Sequence, residues 1–219
     1  MKNVIIAGAS GMVGSHALEY CLEHPEVGTL TSLVRKASGK SHPKLKEIVH
    51  DNFLDYSSII DAFKNQDLAL FCIGVYTGDV GKEKFREITV DIPQAFAKAL
   101  QSQNEHINFC LLSGAGADRT EKSRTMFARD KGAIENILDA MDLGEFHSFR
   151  PAYIYPVVPR DEPNLMYRVS RWLYKPLISK LGKNSSIKST DLARAMVKLG
   201  LEGGGMKILE NKDILDVLS

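Results

Sequence analysis

The sequence predicts an α/β fold built on a doubly wound parallel sheet, and three observations support this prediction. Short apolar runs rich in β-branched residues alternate with longer segments of helical periodicity along most of the chain. Glycine-rich turns follow several of these runs. At 219 residues and 44% hydrophobic composition, the chain can bury one substantial core. We therefore expect a single domain, with a core over residues 1–150 and a smaller extension over residues 151–219.

The composition excludes several classes of function. The formal net charge of +1 gives no overall attraction to nucleic acid or to an anionic membrane, and no apolar run approaches the roughly 20 residues that span a bilayer. Cys21, Cys72 and Cys110 are widely spaced in apolar runs, which predicts reduced, buried thiols and a cytoplasmic location. Residues 1–7 indicate a strand rather than a signal peptide. The histidines lack the paired spacing of a zinc site, so no metal is expected.

A glycine-rich turn follows the first predicted strand, residues 4–7. Glycine permits the unusual backbone angles of a tight strand-to-helix turn and lets a pyrophosphate approach bare main chain. The first amides of the following helix, together with its dipole, attract phosphate groups. The turn therefore predicts a dinucleotide site, and its predicted contact residues are Gly8, Ser10, Gly11, Met12, Val13 and Gly14.

The second predicted strand, residues 29–34, is followed by Arg35 and Lys36. About 20 residues after the glycines of a dinucleotide site, an acid bonds the ribose 2′-hydroxyl, whereas an arginine accommodates a 2′-phosphate. Arg35 therefore favours NADP(H) over NAD(H). The alternative is a solvated basic loop, because three further lysines follow closely: Lys40, Lys44 and Lys46.

The remaining strands of the core bring more candidate residues to the same edge of the sheet. Residues 67–73 form the most strand-like stretch and lead into Gly74, where a small residue lets main chain lie against a cofactor. The helix predicted over residues 82–102 contains Pro93, which should kink or split it. Ligands bind outside the carboxyl ends of parallel strands, where strand order reverses. One crevice is therefore predicted to collect the residues that follow the strands: Gly8, Arg35, Asp51, Gly74, Ser113 and Pro151. Cys72 and Ile73, directly before Gly74, are also predicted to contact the cofactor.

The C-terminal part of the chain has a different pattern. Arg168, Arg171 and Lys175 share one face of an amphipathic helix, which we expect to be a lid or wall over the cleft rather than a membrane-surface element. A helix over residues 189–201 is predicted to have Ser189 or Thr190 as its N-cap. A strand at 207–209 and a helix at 211–218 complete the predicted extension.

Together these motifs resemble the HIV Tat-interacting-protein-like oxidoreductases, atypical short-chain dehydrogenase/reductases close to the NmrA-like proteins. The resemblance rests on the Gly-x-x-Gly-x-x-Gly spacing of residues 8–14 and on short motifs at 33–35, 72–74, 111–118, 131–132, 149–151 and 209–212. It implies a Rossmann-type fold, bound NADP(H) and oxidoreductase activity. It also implies that Asp51 reaches the adenine ring, that Asn52 and Phe53 close over it, and that Pro151 and Tyr153 lie beside the nicotinamide. Asp51 could instead cap the short helix predicted at 56–63.

One position departs from the catalytic pattern of that family, which is a serine together with Tyr-x-x-x-Lys. Ser113 and Lys131 match, but Phe127 occupies the tyrosine position. Residues four apart share a helix face, so a lysine there lowers the pKa of a tyrosine that passes a proton to a carbonyl receiving hydride. Phenylalanine has no proton to give. Ser113 could still hold a carbonyl, and the family gives Lys131 a further role in bonding the nicotinamide ribose.

Two functions follow from this departure. The first is an NADP(H)-dependent oxidoreductase acting on a small carbonyl or alcohol, with Ser113 and Lys131 as its catalytic residues. The second is a catalytically impaired NADP(H)-binding redox sensor or regulatory protein. Three tyrosines on loops near the predicted cleft are candidates to replace the missing acid: Tyr76, Tyr153 and Tyr155. The chain is expected to be a monomer or a dimer.

Overall fold

The computed structural model describes residues 1–158 and 185–219. The strands in these ranges are β1 Lys2–Ala7, β2 Val27–Val34, β3 Leu45–Val49, β4 Leu68–Phe71, β5 Asn108–Leu112, β6 Phe146–Arg150, β7 Tyr153–Tyr155, β8 Ser186–Lys188 and β9 Ile208–Glu210. The helices are α1 Met12–Glu23, α2 Lys82–Arg86, α3 Ile92–Gln101, α4 Met126–Ala140, α5 Ser189–Glu202 and α6 Asn211–Asp216, with a 3-10 helix at Ser57–Phe63. The predicted basic helix carrying Arg168 lies outside the described residues.

Seven of these strands form one parallel sheet, which confirms the predicted fold class. Their order is β3-β2-β1-β4-β5-β6-β9, and β7 pairs with β8 in a separate two-stranded sheet. Ala7, the last residue of β1, lies opposite Leu33 of β2 on one side and Phe71 of β4 on the other. Strand order therefore reverses beside β1, and the carboxyl ends of β1 and β4 open where such sheets bind ligands.

Helices cover both faces of the sheet, each over its own apolar core. On one face α1 and α5 pack together over residues such as Leu30, Leu68 and Met196. On the other face α3 and α4 enclose an aromatic core that includes Phe71 and Phe96. Because α5 and β9 belong to this packing, residues after 185 contribute to the core.

Pro93 interrupts the long helix as predicted. The α-helical segment α2 changes into a π-helical turn at Glu87–Asp91 and resumes as α3 at Ile92. Proline donates no main-chain hydrogen bond, and its ring collides with the carbonyl four residues earlier, so the preceding turn widens. The two helical parts stay continuous and still cover the sheet.

The predicted cap of α5 is wrong. The N-cap position is Lys188, and no side chain caps the first turn. Ser189 is the first helical residue, is fully buried, and accepts a hydrogen bond from the Val157 amide at 3.2 Å. The Ser189 side chain therefore links α5 to the segment after β7, and it does not accept a hydrogen bond from an amide of its own helix. Within residues 1–158 and 185–219, no helix is long and apolar enough to cross a bilayer.

Candidate functional site

The turn after β1 is shaped by close main-chain packing. Gly8 has φ +93°, and a Cβ placed there would lie 2.6 Å from the Cys72 carbonyl carbon. The Gly11 amide donates to the Gly8 carbonyl at 2.9 Å, and a Cβ on Gly14 would lie 2.2 Å from that same oxygen. Gly8 and Gly14 therefore have no room for a side chain, and α1 begins close to the main chain that follows β4.

The start of α1 offers its amides without a side-chain acceptor. Gly11 is the N-cap, and no side chain forms a capping bond there. The first amides of a helix have no acceptor within the helix, and they favour an anion. Gly11, Met12 and Val13 line a cleft of about 530 Å³. This end of the cleft can hold a phosphate group.

The cleft brings most of the predicted site residues together. In addition to the start of α1, its lining includes these predicted residues: Cys72, Ile73, Gly74, Ser113, Phe127, Lys131, Pro151 and Tyr153. Tyr76 also lines it. Gly8 and Gly14 shape the turn from beneath, and Ser10 is exposed within the same turn. The sheet therefore gathers the ends of β1, β4, β5 and β6 around one space.

The residues predicted on the adenosine side follow β2 and β3, and none of these described residues lines the cleft. Arg35 and Lys36 are exposed directly after β2, and no side-chain partner of Arg35 occurs in the described part of the chain. Asp51 and Asn52 are exposed after β3. Phe53 is 8% exposed and packs in the aromatic core, so its side chain supports this turn from below. The side chains of Arg35, Lys36 and Asp51 are open to a ligand from solvent, whereas Asn52 Oδ1 accepts from the Leu54 amide at 3.2 Å.

The alternative role for Asp51 as a helix cap is contradicted. The Ser57 amide, at the start of the 3-10 helix, donates to Asp55 Oδ1 at 2.9 Å. The N-cap position is Tyr56, and Asp55, one residue earlier, accepts from the first helical amide. Its bonds to Ser57 hold the pKa of its carboxyl below the usual value. The aspartate two residues before the first helical position is better placed for this role than one six residues away.

His50 holds the turn that presents Asp51, and sequence reasoning missed it. Its Nε2 lies 2.7 Å from the Asn52 carbonyl oxygen and 2.9 Å from that of Asp55. Both carbonyls are acceptors, so Nε2 carries the proton and donates. The ring is buried and stacks on Tyr56 at 5.4 Å between centroids. A single histidine after a strand gives no sequence signal for such a role.

At the other end of the cleft, Ser113 belongs to a buried hydrogen-bond network. Its Oγ donates to Glu135 Oε1 at 2.6 Å, and Ser148 Oγ donates to the same oxygen at 2.7 Å. Arg150 donates through Nε to Oε1 at 3.0 Å and through Nη2 to Oε2. Arg150 also reaches Glu210 at 3.0 Å through Nη1, and its bonds to Glu135 raise its pKa. Glu135 therefore joins α4 to β5 and β6.

Lys131 lies one helical turn before Glu135 and faces the cleft. Its Nζ donates to the Leu112 carbonyl oxygen at 3.0 Å. Burial lowers the pKa of Lys131 to about 8, and the nearby carboxylate of Glu135 opposes this shift. An amine with this pKa exchanges protons readily near neutral pH, which suits acid–base chemistry.

Phe127 occupies the space beside Ser113. A Cβ on Gly114, the next residue, would lie 2.6 Å from Phe127 Cζ, so the tip of the ring rests on bare main chain. The ring also lies 6.5 Å from that of Phe85, between centroids. The face of α4 that carries Lys131 therefore presents an apolar edge to the cleft at the position where the family pattern has a phenol.

These features agree with a comparison to known families, in which residues 4–171 match the NAD dependent epimerase/dehydratase family. The chain belongs to this family. A relative named protein fmp52, mitochondrial, from Emericella nidulans is 27% identical over 215 residues, which cover 92% of this chain and 88% of the relative. The family is thus established, whereas nothing in these matches supports the Tat-interacting-protein-like group specifically.

Solved structures show how widely the fold of this epimerase/dehydratase family is shared. The Bordetella bronchiseptica enzyme WbmH in complex with NAD+ superposes with a TM-score of 0.70 at 20% identity, covering 96% of this chain and 75% of that chain. A short chain dehydrogenase/reductase from Saccharomyces cerevisiae superposes with a TM-score of 0.71 at 14% identity, covering 99% of both chains. At such identities the likeness establishes the fold alone.

The predicted cytoplasmic location is contradicted by the names of the relatives, which are described as mitochondrial. Cys21, Cys72 and Cys110 are buried free thiols, and burial raises the pKa of Cys21 and Cys72 to about 12. Inert buried thiols pack as small apolar groups, so they do not distinguish one reducing compartment from another. In the described ranges, no cluster of three His, Cys, Asp or Glu side chains could hold a metal ion.

Proposed function

We propose that this chain is an atypical short-chain dehydrogenase/reductase, similar to the Tat-interacting-protein-like and NmrA-like proteins, that binds NADP(H) and acts on a small carbonyl or alcohol. The observation that carries the proposal is the cleft where strand order reverses. It has bare main chain and a helix start at one end, and Ser113 with Lys131 at the other. The complex of WbmH with NAD+ supports a dinucleotide ligand for a fold of this kind.

The residues that line the cleft fit the pyrophosphate and the nicotinamide of such a cofactor. The pyrophosphate would lie against the amides of Gly11, Met12 and Val13, where a side chain on Gly8 or Gly14 would interfere. The nicotinamide would lie near the other end of the cleft, where the chain supplies Lys131, Pro151 and Tyr153. When bound, this group supplies or accepts a hydride. The protein orients the substrate and excludes water.

The proposed preference for NADP(H) rests on Arg35. Its guanidinium is exposed, and no partner for it occurs among the described residues, so it can pair with a 2′-phosphate. We expect Arg35→Ala to weaken NADPH binding about tenfold in calorimetry and to leave NADH binding nearly unchanged. Lys40→Ala is a matched control, because the Lys40 ammonium already pairs with Glu19. Equal weakening of both nucleotides in Arg35→Ala would contradict the assignment.

A second function, a nucleotide-binding redox sensor, is favoured by Phe127. A positioned acid contributes about a hundred- to ten-thousand-fold to such rates, and this ring supplies none. Phe127→Tyr tests the alternative on a panel of carbonyl substrates with NADPH. Activity that appears only in this variant would support the sensor. Activity of the natural chain that survives Phe127→Ala and is lost in Lys131→Ala would support the enzyme.

A further inference from the structure

Glu135 is an acidic side chain enclosed by the protein directly behind the cleft. It is 0% exposed, and both of its carboxyl oxygens accept hydrogen bonds. Oε1 accepts from Ser113, Ser148 and Arg150, and Oε2 accepts from the second arm of Arg150. The hydrogen-bonding capacity of a buried carboxyl with this many donors is fully satisfied, so its surroundings favour one protonation state.

The state that these donors select is the carboxylate. Arg150 offers two N–H groups in the fork that matches an ionised carboxyl, and a guanidinium is not deprotonated in proteins. Its side chain is 13% exposed and is also held by Glu210 at 3.0 Å. A proton on Glu135 would displace one of four donors and leave a buried cation without its partner. Glu135 is therefore an acceptor only.

This fixes the direction of the Ser113 hydrogen bond. A serine hydroxyl has one proton and two lone pairs. Because Glu135 can only accept, the proton of Ser113 must lie in its 2.6 Å bond to Oε1. The Ser113 amide is also used, since it donates to the Phe149 carbonyl at 2.8 Å. Ser113 lines the cleft, and its hydroxyl oxygen has only lone pairs left for a ligand.

We propose that Glu135 makes Ser113 a hydrogen-bond acceptor, so that at this position the cleft selects a ligand hydroxyl over a carbonyl. A ligand O–H donates to Ser113 Oγ, whereas a carbonyl oxygen would face lone pairs across the contact. This proposal differs from the expectation that Ser113 holds a carbonyl. The ligand class rests on the proposed function of the cleft, whereas the direction of the bond does not. Glu135 itself is a positioning residue, because it acts through Ser113.

The direction of the bond can be observed in the protein alone. In a neutron structure of the perdeuterated chain, we expect a deuteron on Ser113 Oγ directed at Glu135 Oε1, and no deuteron on either oxygen of Glu135. A deuteron on Glu135, or a Ser113 deuteron directed into the cleft, would overturn the proposal. This measurement requires no nucleotide, so its outcome is independent of whether the chain binds NADP(H).

The selectivity is tested with matched probes that differ only in the polar group, such as 1-phenylethanol with acetophenone and cyclohexanol with cyclohexanone. Binding to the protein without nucleotide, where no turnover occurs, is followed through the NMR shifts of the Ser113 and Gly114 amides. We expect the alcohol of each pair to bind about five- to tenfold more tightly, as one net hydrogen bond provides. Ser113→Ala should abolish this preference.

Ser148→Ala is the matched control, since Ser148 donates to the same oxygen of Glu135 but does not line the cleft. The preference for alcohols should persist in this variant. Equal affinities, a preference for ketones, or no shift at the two amides with any pair would contradict the proposed selectivity. Failure of the proposed function would appear separately, as the absence of NADPH binding in calorimetry.

Discussion

The cleft has a phosphate end and a nicotinamide end, each named for the part of the cofactor that it is proposed to hold, and the two are stabilised by different contacts. At the phosphate end, Gly8, Gly11 and Gly14 pack main chain on main chain, and no side chain forms a capping bond. At the nicotinamide end, Ser113, Glu135 and Arg150 come from three separate elements and are joined by charge-assisted hydrogen bonds. We therefore expect an added side chain to destabilise the phosphate end, and the loss of a charged group to destabilise the nicotinamide end.

The largest loss of stability is expected when the charge of Glu135 is removed. Glu135→Ala leaves the Arg150 guanidinium, itself largely buried, with Glu210 as its only ion-pair partner among the described residues. It also leaves two serine hydroxyls without the acceptor they have in the natural chain. Removing one partner of a buried pair costs about 3–5 kcal/mol of the free energy of unfolding. Chemical denaturation measures this change.

A matched control removes a carboxylate from the surface. Asp61 pairs with Lys64 within one exposed helical turn, and its side chain is 84% exposed. Asp61→Ala should therefore leave the free energy of unfolding nearly unchanged. If the two variants cost the same, the network around Glu135 is not a buried charge pair, and the contrast between the two ends of the cleft disappears.

The second-largest loss of stability is expected when a side chain is added at the phosphate end of the cleft. Gly8→Ala places a Cβ 2.6 to 2.9 Å from the main chain of Cys72 and Ile73, at φ +93°. Overpacking together with backbone strain should lower the free energy of unfolding by about 3 kcal/mol and displace the start of α1, which would weaken nucleotide binding more than a hundredfold.

Gly204→Ala introduces backbone strain similar to that of Gly8→Ala but without a steric clash, so it separates the two effects. Gly204 has φ +74°, and a Cβ there would meet nothing within 4 Å, far from the cleft. This variant should cost about 1 kcal/mol and leave nucleotide affinity intact. If Gly8→Ala and Gly204→Ala lose nucleotide affinity to a similar extent, the loss in Gly8→Ala does not come from the position of Gly8 at the nucleotide site.

The contrast also explains which parts of the site the sequence could predict. The phosphate end depends on residues within seven positions of each other, so its spacing is visible in the chain, and the predicted strand directly before it shows where it lies. Glu135 was missed because Ser113 and Arg150 are 22 and 15 residues away. Its four-residue spacing from Lys131 was the available signal, since both share one face of α4. Helix spacing alone does not tell a buried acid from a solvated one.

The smallest effect concerns Lys131, at the nicotinamide end of the cleft, and it depends on pH. The pKa of Lys131 is lowered from 10.5 to about 8 by burial. Between these values the unfolded chain keeps a proton that the folded chain has released, so stability rises with pH across this window. Below about pH 8 both states are protonated, and the folded state bears the full cost of the buried charge.

Lys131→Met removes that cost at every pH. At pH 7 the variant should therefore gain stability relative to the natural chain, and the difference in the free energy of unfolding should shrink by about 2 kcal/mol as the pH rises from 8 to 10.5. Lys98→Met changes an exposed lysine of α3, and its difference should stay constant over the same range. If the difference for Lys131→Met is also constant, the folded protein solvates the Lys131 ammonium as effectively as water does. The nicotinamide end would then not be the end that is sensitive to a change of charge.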